Sequence, residues 1–124
     1  MGPSISIVEP SIDFGLLKIY SSHKFRLNIE NHSPIPAPIL IKHASNADLA
    51  FDTLENYNDS DKVITSKEGN KYKFDNDYQV IPPNDKAEIL IQLDCESQEI
   101  INEILEVMVY DSSSHYVTIR ANIQ

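Results

Sequence analysis

The 124-residue sequence holds one cysteine, three glycines and no tryptophan. A lone Cys95 excludes an internal disulfide and a Cys-x-x-Cys metal site, and it suits a reducing compartment. Gly2, Gly15 and Gly69 are too scattered for the glycine-rich loops that cradle phosphates. No apolar run approaches a membrane span, and no basic stretch leads into an apolar one at the start. Positive charge is scarce as well: ten Lys+Arg against nineteen Asp+Glu leave a net −9. That sign argues against nucleic-acid phosphates and anionic membranes as partners. What is present, 41% hydrophobic and 23% charged, suffices for one buried core and reads as a single domain over residues 1–124.

Modification signals are weak. The opening Met1-Gly2-Pro3-Ser4-Ile5-Ser6 fits the loose myristoylation pattern, but Pro3 beside the acceptor glycine and the strand-like run from Ile5 argue against it. The sequons at Asn31 and Asn58 matter only in a secreted chain.

The apolar rhythm is period two almost throughout, which is the signature of half-buried strands. Ser4 to Val8 is a short run stopped by Glu9-Pro10, and Ile12 to Gly15 is a second, ended by glycine. From His23 to Asn31, Phe25, Leu27 and Ile29 share one face. Pro34 to Pro38 is too proline-rich for a central strand and leads into Ile39 to Lys42; Leu49 to Thr53 is a weaker strand. Residues 54–77 read as a long polar hairpin or loop insert, with β-leaning pieces at Val63–Thr65 and Tyr72–Phe74. Ala87 to Asp94, Leu105 to Asp111 and Tyr116 to Ile123 alternate again, while Ser97 to Ile104 has room for one helical turn. Seven to eight antiparallel strands of this kind make an all-β sandwich, packed by aliphatic side chains, among them 17 isoleucines.

The segment Val8-Glu9-Pro10-Ser11-Ile12-Asp13-Phe14-Gly15, then Phe25 to Ala37 with Asn31-His32-Ser33-Pro34, then Ile81-Pro82-Pro83, resembles the ASH/Hydin-type branch of the major-sperm-protein superfamily, in order and spacing. The resemblance implies an immunoglobulin-like sandwich without catalytic activity or cofactor. It implies a protein-binding module of a larger cytoplasmic scaffold, ciliary, flagellar or centrosomal, monomeric in isolation. It gives Pro10, Phe14, Gly15, Asn31, Pro82 and Pro83 structural roles: Phe14 plugs the sandwich edge, Gly15 permits a sharp turn, Asn31 caps a turn and the prolines stop strand pairing. The alternatives are a structural spacer in a filament or axonemal protein, and a peptide-binding trafficking adaptor. For the latter, Lys42 alone in its strand and an isolated Arg120 make a poor basic groove.

Two features compete for function. Residues 75–111 hold ten acids and only Lys86 as a base, which is either a solvated surface or an acidic face for a basic partner. Met108, Tyr110 and Tyr116 fall on outward positions, joined by Leu40 if the strands share a sheet. They form an interaction patch unless the insert, with Tyr57, Tyr72 and Phe74, covers them. His23, His32, His43 and His115 lack metal-binding spacing, and Asn56/Asn58/Ser60 and Asp75/Asp77 lack the rest of a calcium loop. Acids flanking Cys95 disfavour a nucleophilic thiolate.

Overall fold

Proline placement divides the first apolar run between two sheets. β1 (Ile5–Ile7) pairs antiparallel with β3 (Ser21–Asn31). Glu9-Pro10 then breaks that pairing, and β2 (Ser11–Leu17) crosses to run parallel to the final strand, β10 (His115–Ile123). The remaining strands are β4 (Ala37–His43), β5 (Val63–Thr65), β6 (Lys71–Asp75), β7 (Tyr78–Ile81), β8 (Lys86–Cys95) and β9 (Glu99–Val109). This computed structural model describes residues 2–46, 50–52, 63–75 and 77–124. The first sheet has the order β1-β3-β8-β6-β5 and the second β2-β10-β9-β4-β7.

The expected sandwich is therefore present, with ten strands among the described residues. The excess over seven to eight comes from a hairpin, β5–β6, that extends the first sheet, and from β7, which extends the second. Two local expectations are corrected. Residues 99–104 are strand, not a helical turn, because β9 stays paired with β10 as far as Glu99↔Ile123. Pro38 lies inside an interior strand, which it tolerates because its carbonyl, accepting from Tyr110 N (3.0 Å), faces β9 where that strand ends.

Gly15 does not end its strand either. In the register Asp13 opposes Arg120 and Leu16 opposes Asn122, so Phe14 and Gly15 together face one residue of β10. Gly15 takes φ 74° there, and Asp13 Oδ1 accepts from its N–H (2.8 Å). This bulge shifts the alternation by one. Ile12 and Leu17 both reach the core, and Leu16 is turned out to solvent.

Aliphatic stripes from both sheets fill the interior: Leu27, Ile29, Ile89 and Ile91 face Ile39, Ile41, Leu105 and Val107. Each such burial contributes about 1.5–3 kcal/mol. Tyr72 and Phe74 also point inward, so the hairpin supplies core and does not cover the outer face of the second sheet. Phe14 is half-buried against Phe25, ring centroids 6.3 Å apart, in keeping with an edge plug.

A buried asparagine closes each end of the first sheet. Asn31 donates from its amide to the carbonyls of Ile35 (2.9 Å), Ile81 and Pro82 (both 3.1 Å), while its oxygen accepts from Ser33 N (3.0 Å) and Ser33 Oγ. It thereby joins the end of β3, in the first sheet, to the end of β7, in the second. At the opposite end Asn70 donates to Ser97 O (3.0 Å) and Glu99 Oε1 (2.8 Å) and accepts from Glu96 N (2.6 Å) and Ser97 N (2.9 Å). This ties the β5–β6 turn to the crossover from β8 to β9. Asn31 was expected to cap a turn and does; Asn70 is not singled out by any sequence motif.

Replacing either asparagine with alanine orphans several buried backbone groups. The expected cost is about 3 kcal/mol, read as a fall in Tm of about 10 °C; a fall below about 2 °C contradicts the clamp. Gly15→Ala should cost about 1 kcal/mol in urea unfolding and Gly15→Asn less, because a Cβ there meets nothing within 4 Å and only the positive φ is strained. The Tyr72 hydroxyl is buried without a hydrogen-bond partner among the described residues. Tyr72→Phe should therefore stabilise the fold by about 1 kcal/mol, and a loss of stability would point to an uncounted partner.

Candidate protein-interaction face

The outer faces of the two sheets differ in chemistry. On the first sheet, alternation turns Lys24 and Arg26 (β3), Lys86, Glu88 and Asp94 (β8), and Lys71, Lys73 and Asp75 (β6) to the outside. Asp94 accepts from Gln92 Nε2 (3.0 Å) and Ser22 Oγ (2.7 Å). Those bonds, helped by Lys73 and Lys71, hold its carboxyl below the usual range. This is a solvated polar surface.

The second sheet presents apolar groups instead. Its register sets Tyr78, Leu40 and Met108 side by side across β7, β4 and β9. Tyr110 follows on the same side, as does Tyr116, opposite Glu106. Tyr110 and Tyr116 are each 58% exposed, and Tyr78 and Val80 about half exposed. At the far end Ile100 and Leu16 stand out to solvent at 77% and 68%, either side of Asn122, over a shallow hollow of about 470 Å³ that also holds Asp13 and Arg120.

The expected patch is thus partly assembled. Met108 is half-buried, and Tyr110 and Tyr116 are exposed. Leu40 is not: it is fully buried while lying outside the inter-sheet core. The reason is an aromatic cap. Phe51 meets Tyr78 and Tyr110 edge-on, centroids 6.3 and 5.8 Å away, and so bridges the two strands that flank β4. Phe51 belongs to a 3₁₀ turn with Asp52, so the expected strand at Leu49 to Thr53 is not seen at Ala50 to Asp52; Leu49, Thr53 and Tyr57 lie outside the described residues. Sequence reasoning placed neither Tyr78, Val80 nor Ile100 on this face. Their parity along β7 and β9 was the available signal.

Lys42 shares the face but is buried, its ammonium donating to Asn46 O (2.8 Å) and standing 4.0 Å from Glu106 Oε1. The acids of residues 75–111 do not gather on one surface. Asp75, Glu88 and Asp94 go to the first sheet's outer face among lysines, Glu99 is bound by Asn70 and Ser66, Glu103 by His43 (2.7 Å), and Glu106 lies by Lys42.

His43, His32 and His23 have local hydrogen-bond partners. His43 Nδ1 accepts from Ser45 N (3.1 Å), and its Nε2 lies 2.7 Å from Glu103 Oε2. His32 meets Ser6 Oγ (2.6 Å), and His23 meets Ser21 Oγ (2.9 Å). Among the described residues no group of three or more His, Cys, Asp or Glu side chains could hold a metal ion. Burial pushes the Cys95 thiol up, with Asp94 adding to the effect, so the sulfur stays protonated. The Asn31 amide is committed to three carbonyls, so its sequon is closed. Gly2 packs on the Asp111 carbonyl, where a Cβ would come within 1.9 Å. Among the described residues no helix is long and apolar enough to cross a membrane.

No family model matches the chain, and no curated protein matches it. Solved structures do. The ASH/PapD-like domain 7 of human CEP192 superposes with a TM-score of 0.75 at 10% identity, over 99% of this chain and 87% of that one. WR4, a major-sperm-protein family member of C. elegans, superposes at 0.51 and 8% identity over 97% of each chain. A family 123 glycoside hydrolase of Clostridium perfringens matches at 0.65 and 12% identity, but over 27% of its own length. The fold is that of ASH and major-sperm-protein domains, and both of these neighbours of similar length are such domains.

Proposed function

We propose that the chain is a non-catalytic protein-binding module that docks through the outer face of its second sheet. The observation that carries this reading is the asymmetry of the sandwich. Tyr78, Val80, Ile100, Ile104, Leu16, Tyr110 and Tyr116 are exposed on one outer face, while lysines and carboxylates populate the other. Large aromatics left half-open beside a half-buried methionine are the composition of an interface core. Met108, Tyr110 and Tyr116 are the residues assigned to contact, with Tyr78 beside them; Leu40 supports them from beneath.

The likeness to a CEP192 domain supports a centrosomal scaffold as the parent protein, in preference to a ciliary or flagellar one. An adaptor reading acidic peptides through a basic groove finds no support, because Lys42 is withdrawn from the surface.

Tyr116→Ser removes an exposed ring, and Tyr110→Ser an exposed ring that also meets Phe51 edge-on, so the double variant should lower Tm by no more than about 5 °C. The same double variant should lose partner capture, since central aromatic anchors carry about 2 kcal/mol or more each. Undiminished capture by a folded double variant would leave the spacer reading and overturn this one.

A further inference from the structure

We infer that the segment docking on this face is basic as well as apolar, with arginine or lysine side chains set beside aliphatic or aromatic ones. The inference rests on the docking face proposed above and adds the chemistry of its occupant. At the aromatic end of the face, exposed Asp52 adjoins Phe51, exposed Asp111 adjoins Tyr110, and Glu106 lies opposite Tyr116. Lys42 is the cation at this end among the described residues, and its ammonium is held below the surface.

Charge elsewhere strengthens the contrast. Lys24, Arg26, Lys71, Lys73 and Lys86 all stand on the opposite outer face, where the acids among the described residues are Glu30, Asp75, Glu88 and Asp94. Half of the chain's ten cations are thus held on the face with fewest apolar groups. With Asp52 and Asp111 exposed and Lys42 withdrawn beside Glu106, the field over the tyrosine end is negative, which accelerates the approach of a cationic segment and repels an acidic one. Half-open tyrosine rings add a second attraction, because a guanidinium or ammonium over a ring face is favoured by the ring's quadrupole.

The test is a selection from a phage-displayed random-peptide library on the full chain, with the Tyr110→Ser/Tyr116→Ser variant as counter-target. Enriched peptides should carry more Arg+Lys than Asp+Glu alongside apolar residues. A synthetic copy of the most enriched peptide should bind about tenfold more tightly than its version with glutamine at every basic position, and should weaken with added salt. Asp52→Asn with Asp111→Asn should weaken it about fivefold while Tm holds. Enriched peptides that are neutral or acidic, yet lost on the tyrosine variant, overturn the basic partner and leave the docking face standing. Peptides retained by the tyrosine variant, or a selection that enriches nothing, overturn both.

Discussion

Two side-chain amides hold the sandwich shut. Asn31 and Asn70 sit at opposite ends of the first sheet, and each spends its donors and acceptors on backbone from connections that pass to the second sheet. Aliphatic burial supplies most of the drive to bring the sheets together, but it is non-directional and would tolerate sliding. Buried amides with five bonds at Asn31 and four at Asn70 do not tolerate it, because any shift leaves polar groups dry and unpaired. The alignment of the two layers follows from these two clamps.

Within each sheet, parity decides the surface. Inward positions are taken by Ile, Leu and Val with Tyr72 and Phe74, and the bulge at Gly15 moves Leu16 outward in the one place where alternation alone would have buried it. The outward positions then divide by sheet, charged over the first and apolar over the second. Phe51 seals only the centre of the apolar side, burying Leu40 and leaving tyrosine edges available around it. A surface half-capped by its own aromatic residue is already ordered before a partner arrives, which lowers the entropy lost on docking.

Much of this was legible in the residues. Phe25-Leu27-Ile29, Ala87-Ile89-Ile91-Leu93 and Val117-Ile119-Ala121-Ile123 face inward as their alternation requires, and Asn31 before Ser33-Pro34 announces its turn. The failures have physical causes. Ile100 and Ile104 share a face in a helix and in a strand alike, so spacing could not choose between them. Lys71-Tyr72-Lys73-Phe74-Asp75 alternates as well as any strand, yet its polar setting disguised a core hairpin. Asn70 was invisible because its partners, Ser97 and Glu99, are remote in sequence. Leu40 was placed on the correct face, but nothing near it in the chain reveals that Phe51 lies above.

The claim on which the rest turns is that contact with other proteins occurs over the second sheet and not the first. A photo-crosslinking amino acid placed at position 110 and, separately, at position 24 in cells expressing the parent protein compares the two faces directly. The account predicts a discrete protein adduct from position 110 and none from position 24. An adduct formed only from position 24 would contradict it.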